Sequence, residues 1–218
     1  MSRVIAIDGP SASGKSTVAR KVAGRLGWIY VDSGSLYRGI TWLAIKSGTD
    51  TGKAGAVDKL VEGMEFSFSV GNGGVCFRIN GKDPGEAIRS AEVNALVSVV
   101  AAVPSVRRKV VSSLKSLVRF GDLVMEGRDI GTAVFPGAAH KFYLDASIEE
   151  RARRRNAEAG SGEGVEETGK QLACRDAIDS RRQMDPLRKA EGAVVIDSTG
   201  IDAEGVADLI VEHLGGNG

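Results

Sequence analysis

The 218-residue chain has little of what several function classes require. Its two cysteines, Cys76 and Cys174, lie far apart and make no C-x-x-C motif, so they build neither a disulfide framework nor a thiolate metal site. Each reads as a small core residue or a bystander. Only two histidines, His140 and His213, are present, which excludes a histidine-rich metal centre. No apolar run approaches the ~20 residues that span a bilayer, and the first residues enter a strand pattern with no signal-peptide region. Charge of one sign is also missing. With 29 basic and 28 acidic residues, no overall field recommends DNA, RNA or an anionic membrane as a partner. The expectation is a soluble, reduced, cytoplasmic protein of one domain with insertions, or of two small domains.

What the chain does have starts at residue 9. Gly9-Pro10-Ser11-Ala12-Ser13-Gly14-Lys15-Ser16-Thr17 is G-x-x-x-x-G-K-S, a phosphate-binding loop. A β-branched run, residues 4–8, precedes it, and a helical pattern with apolar positions 18, 19, 22, 23 and 26 follows. The two glycines allow backbone angles and close approaches that a Cβ forbids, so successive N–H groups can turn inward around a phosphate. The helix that follows points its positive end at the same anion. Lys15 is placed for the β- and γ-phosphates and Ser16 for Mg²⁺. The reading is a protein that binds a nucleoside triphosphate.

Further along, residues 28–32 read as a strand and 35–46 as a helix, which puts Asp32-Ser33-Gly34 at a strand's carboxyl end, where open α/β sheets bind ligands. Arg38 lies one turn into that helix. Residues 47–90 are richer in glycine and polar residues. Two alternating runs, 65–70 and 75–79, flank Gly71-Asn72-Gly73-Gly74 and predict a hairpin that forms an inserted subdomain rather than another strand of the main sheet. Helices are predicted at about 91–102 and 105–119, broken at Pro104 and carrying Ser98 and Arg107. Strands are predicted at 123–126, 141–145 and 193–197, making five parallel strands with 4–8 and 28–32. Ser147 and Glu150 spell a capping box ahead of a helix bearing Arg151, Arg153, Arg154 and Arg155. Arg151, Arg154 and Arg155 share one face, which is either a solvated charged face or part of a lid. A glycine- and glutamate-rich loop, 160–169, leads to a second polar helix at about 170–184, on which Arg175, Asp179 and Arg182 can point one way. A last helix is predicted at about 203–214, with residues 215–218 as a frayed tail.

Four segments together resemble the bacterial cytidylate kinase family: the phosphate loop, Asp32-Ser33-Gly34-x-x-Tyr37-Arg38, Gly127-Arg128-Asp129-Ile130-Gly131-Thr132, and Asp197-Ser198-Thr199. The likeness runs from residue 3 to about 212 and is weaker over 47–60 and around 159–170. It implies a three-layer α/β P-loop fold with a five-stranded parallel sheet. The core would be about 1–46, 91–146 and 185–214, with a nucleoside-monophosphate-binding insert at about 47–90 and a helical lid at about 147–184. It also implies a monomer that uses ATP and Mg²⁺ to convert CMP or dCMP into the diphosphate. The base contacts implied are Ser98, Arg107 and Asp129. The phosphate contacts are Lys15, Arg38, Arg128 and Arg182, and the pentose contacts are Ser33, Arg175 and Asp179.

Elementary chemistry agrees with that implication. Cytosine offers an amino donor at N4 and acceptors at N3 and O2, which suit a carboxylate and an arginine respectively. Two other readings use the same loop. A kinase of a small hydroxyl acceptor would need a carboxylate base, for which Asp32 or Asp129 could serve, but an uncharged acceptor leaves so many arginines without a task. A nucleotide-dependent switch is suggested only by the loose Asp-x-x-Gly match at residues 197–200, and no Asn-Lys-x-Asp motif accompanies it. An RNA-binding module built on Arg151 to Arg155 lacks both net basicity and aromatic stacking residues.

Overall fold

The structure, a computed structural model, describes residues 2–159 and 164–215. Its elements in chain order are β1 (Val4–Asp8), α1 (Lys15–Leu26), β2 (Ile29–Asp32), α2 (Ser33–Lys46), α3 (Ala54–Glu62), β3 (Phe66–Gly71) and β4 (Gly74–Ile79). They continue with α4 (Ala91–Ala101), α5 (Pro104–Ser116), β5 (Leu123–Gly127), β6 (His140–Asp145), α6 (Ile148–Ala159), α7 (Val165–Arg181), β7 (Val194–Asp197) and α8 (Ala203–Gly215). The strands form one sheet in the order β3-β4-β2-β5-β1-β6-β7. The five strands from β2 to β7 run parallel.

Helices cover both faces. Every residue of β1 is buried, and its side chains divide between two cores. Ala6 faces α2, α4 and α5 with Ile40, Val106 and Met125, while Ile5 and Ile7 face α1 and α8 with Val18, Phe142 and Ile210. That double burial is why the central strands read as continuous apolar runs. The register aligns the carboxyl ends, pairing Asp8 with Gly127 and Asp32 with Glu126. The loops that leave those ends converge on one rim of the sheet.

Several expectations need correction. The hairpin is not separate from the main sheet. β4 joins β2 through the pair Tyr30–Gly74, extending the sheet to seven strands. Beside that pair the Tyr30 N–H donates to the Gly73 carbonyl at 2.9 Å. Helix α3 was hidden by Gly52 and Gly55, yet Val57 and Val61, one turn apart, are both buried. Pro104 separates the two helices as expected and does so as the first residue of α5, where its missing N–H is no loss. α7 starts at Val165, five residues before expected, and Glu166 and Glu167 suit its positive end. Only half of the capping box forms: the Ser147 hydroxyl accepts from the Glu150 N–H, while the Glu150 carboxylate turns to Arg153 and Arg154. Both cysteines are exposed and neither belongs to the core. The expected loop residues 160–163 and tail residues 216–218 lie outside the described residues. Among the described residues no helix is long and apolar enough to cross a membrane.

Candidate active site

The phosphate loop leaves β1 through Gly9, whose φ of 151° and crowding against the Leu144 carbonyl oxygen, 2.0 Å from a would-be Cβ, rule out any side chain. Gly14, at φ 88°, caps α1 in the left-handed region. Ala12, at φ 61°, holds the same region with a side chain, a strained conformation of the kind concentrated at binding sites. Lys15 is buried and folds back over the loop, donating to the Pro10 carbonyl (2.5 Å) and the Ser13 hydroxyl (3.3 Å). The Ser16 hydroxyl donates to Glu126 Oε1 at 2.6 Å.

α6 and α7 close over this loop. Arg151 donates to the Ser11 carbonyl (3.1 Å) and pairs with Asp176, whose other oxygen accepts the Ser11 N–H at 3.1 Å. Arg154 bonds the Ser198 hydroxyl (3.0 Å) and carbonyl (2.6 Å), and Ser198 in turn donates to the Ser13 carbonyl (3.2 Å). A cleft of about 600 Å³ opens beside the loop between Arg153, Arg154 and Ala157 of α6 and the Ser198–Ala203 turn. Arg155 makes no bond to the loop; it lies 3.7 Å from Glu158 and close enough to Arg175 to repel it.

A second constellation lies across the rim. Arg107, on α5, has a fully buried side chain that contacts the buried Asp129 carboxylate, and its guanidinium lies over the Tyr37 ring at 5.4 Å. Asp129 is followed by a π-helical turn, Ile130–Val134, whose first N–H groups are held by Asp8 at 2.8 Å each. Arg182 approaches Asp129 (3.5 Å) and Asp179 (3.7 Å), and Arg128 Nε bonds Asp179 at 3.1 Å. Arg38 lies 3.6 Å from Asp32, the residue that caps α2. Ser98, on α4, and Ser33, at the start of α2, are buried. Three polar atoms here are buried without hydrogen-bond partners: Tyr37 Oη, Arg107 Nη1 and Arg182 Nη2. Two more, Arg38 Nη1 and Arg175 Nε, belong to the expected phosphate and pentose contacts.

Lys15 and Arg175 are depressed, while Arg107 and Arg128 are raised, against burial, by the acidic groups beside them. Burial, reinforced by Arg128, pushes the Lys15 ammonium down to about 7. Burial, then Arg128, Arg38 and Arg155, brings Arg175 down to about 10. These cations crowd one another, and a polyanion placed among them would relieve the repulsion. On the acid side, burial raises Asp129 against the pull of Arg107 and Arg182, and lifts Asp8 to about 6 despite its two backbone bonds. Burial, then Asp32, raises Glu126.

The expected residues thus fall in two neighbouring groups. Gly9 to Thr17, Arg151 and Arg154 surround the loop, while Arg38, Arg107, Arg128, Asp129, Arg175, Asp179 and Arg182 gather across the rim. Sequence reasoning did not give roles to Asp8, Glu126, Asp176 or Asp185. Asp8 and Glu126 sit at strand ends and had that position as a signal. Asp176 adjoins Arg175 but gave no sign of reaching residue 11.

Comparison with known proteins bears on this arrangement. The cytidylate kinase family model matches residues 5–215. The chain is 44% identical to the cytidylate kinase of Geobacillus sp. (strain WCH70), covering 95% of this chain and 94% of that one. It is also 44% identical to a bifunctional pantoate ligase/cytidylate kinase of Parasynechococcus marenigrum (strain WH8102), covering 96% of this chain but 43% of that longer protein. Among solved structures, shikimate kinase from Acinetobacter baumannii in complex with shikimate aligns with a TM-score of 0.50 at 19% identity, over 100% of this chain and 95% of that one. An uncharacterized protein from Eubacterium ventriosum aligns with a TM-score of 0.56 at 10% identity, over 98% of each chain. At such identities these two likenesses concern the fold alone.

Proposed function

The chain belongs to the cytidylate kinase family, and from that we propose that it transfers the γ-phosphoryl group of ATP to the phosphate of CMP or dCMP, giving ADP and CDP or dCDP. The observation that carries the reading is the buried Arg107–Asp129 pair with its unpartnered Arg107 Nη1 donor. Asp129 can accept from the cytosine N4 amino group, while Arg107 Nη1 and the Ser98 hydroxyl can donate to N3 or O2. Uracil presents a carbonyl oxygen where Asp129 needs a donor, and a buried site with an unsatisfied carboxylate rejects it by orders of magnitude.

The acceptor phosphate is already ionised, so no strong general base is needed. Catalysis comes from alignment and charge neutralisation during in-line transfer. Lys15 and the backbone N–H groups of residues 12–17 hold the donor phosphates. Arg38, Arg128 and Arg182 hold the acceptor phosphate, and their planar forks suit paired contacts with its oxygens. Ser33, Arg175 and Asp179 face the pentose. The cleft between α6 and the Ser198–Ala203 turn suits the rest of ATP. Arg151 and Arg154 tie the lid to the loop, excluding water that would otherwise hydrolyse ATP.

Ser16 and the Glu126 carboxylate behind it are hard oxygen donors beside Lys15, a set that fits Mg²⁺. Ser16 and Glu126 would hold Mg²⁺ there, and it would supply charge neutralisation for the transferring phosphates. The proposal takes 47–90 as the acceptor insert and 147–184 as the lid of a monomer acting in the cytoplasm.

The test is ADP formation by the purified protein from ATP and Mg²⁺, with CMP, dCMP, AMP or no acceptor. Rapid turnover with CMP and dCMP is expected. A rate that no monophosphate raises above the acceptor-free reaction overturns the proposal.

A further inference from the structure

Asp185 belongs to none of the motifs read in the sequence, yet its carboxylate reaches the deepest cation of the candidate site. α7 ends at Arg181, and Arg182 leaves it extended at φ −61° and ψ 144°. The chain then turns back on itself. Asp185 adopts φ 48°, its carbonyl accepts from Arg182 Nε at 2.6 Å, and the Leu187 N–H donates to the Asp179 carbonyl at 2.8 Å. This turn delivers Asp185 Oδ2 to within 2.9 Å of Arg107 Nε, from 78 residues away in sequence.

The guanidinium of Arg107 therefore has its donors divided. Asp185 takes Nε and Asp129 takes Nη2, and Nη1 is left buried without a partner. Nε and Nη2 share one edge of the planar group, so two carboxylates stand side by side along that edge. With Nε held, the group cannot rotate, and the Nη1 corner stays free. Without Asp185, the fork could swing to present both Nη atoms to Asp129, the bidentate arrangement arginine favours, and that corner would be consumed.

We propose that Asp185 is a positioning residue for nucleobase recognition, holding Arg107 so that its Nη1 donor stays available to the base. It also joins base recognition to the end of the lid helix, since one turn carries both Arg182 and Asp185. The inference rests on the reading above that Arg107 contacts the base of the acceptor nucleotide.

The test compares Asp185→Gly and Asp185→Asn with the unsubstituted protein. Glycine tolerates the left-handed backbone and removes the carboxylate, whereas asparagine tolerates the same backbone and keeps an acceptor for Nε. Asp185→Gly is expected to raise KM for CMP by about tenfold to a hundredfold, the range for losing a hydrogen bond to a charged group. KM for ATP should stay within about twofold, and Asp185→Asn should keep KM for CMP within about threefold. A purely structural role would lower the melting temperature without this split between substrates. If Asp185→Gly does not fold, Asp185→Asn carries the test: KM for CMP within about threefold is expected, and a rise beyond about tenfold with the acceptor kept overturns the inference. An unchanged KM for CMP in Asp185→Gly overturns the inference and leaves the kinase reading intact. Failure of the unsubstituted protein to use CMP removes both.

Discussion

Lys15 shows at the scale of one residue how the free site is prepared for an anion. Burial and the neighbouring Arg128 leave its ammonium at about 7, and donor phosphates would restore it upward. At pH 8 the free side chain is mostly neutral and the bound one charged, so ATP binding should take up as much as one proton. Calorimetry in buffers of different ionisation enthalpy reads that uptake directly. Lys15→Met should abolish it, and equal uptake by both proteins would contradict this account. Arg128 offers a second check. It is held by Asp179, and the proposal sets it on the acceptor phosphate, so Arg128→Lys keeps the charge but loses the fork. The expected result is a fall in kcat of about 10²–10³, measured at saturating substrates. The phosphate loop was readable residue by residue because its chemistry is local. Asp185 was not, because nothing near residue 185 records that a turn there reaches residue 107.

At the scale of elements, the strands and most helices were legible because burial on one or two faces leaves a periodic pattern. α3 escaped since glycines interrupt its pattern. Both hairpin strands were predicted, but their place in the main sheet was not, since a single bridging pair joins β4 to β2. Sequence alone left open whether the arginines of α6 form a solvated face or a lid. Arg151 and Arg154 turn to the phosphate loop, while Arg153 and Arg155 bond acidic residues of their own helix. Arg154 stands between the loop and the Ser198 turn, at the wall of the cleft that the proposal gives to ATP. Arg154→Ala should therefore raise KM for ATP about tenfold while KM for CMP changes less than about twofold. Steady-state kinetics with each substrate varied in turn would show the split, and an equal rise in both would contradict it.

Across the whole molecule, the parallel sheet aligns strand ends so that loops from distant parts of the chain share one rim. One group of the expected residues lies at the β1–α1 loop, where the proposal puts the donor phosphates. The other, for which the proposal takes the acceptor, draws on α2, α5, the end of β5 and the end of α7, segments that sequence reading could name but could not bring together without the topology. The ion pairs Arg107–Asp129, Arg128–Asp179 and Arg182–Asp179 are what hold this second group close. The central claim is that the buried Arg107–Asp129 pair reads cytosine. The most direct test is the ratio of kcat/KM for CMP over UMP in the unsubstituted protein. The account predicts a preference of at least about 10²-fold, the scale expected when a buried polar site is left unpaired by the wrong base. Ratios within a few-fold of unity would contradict it.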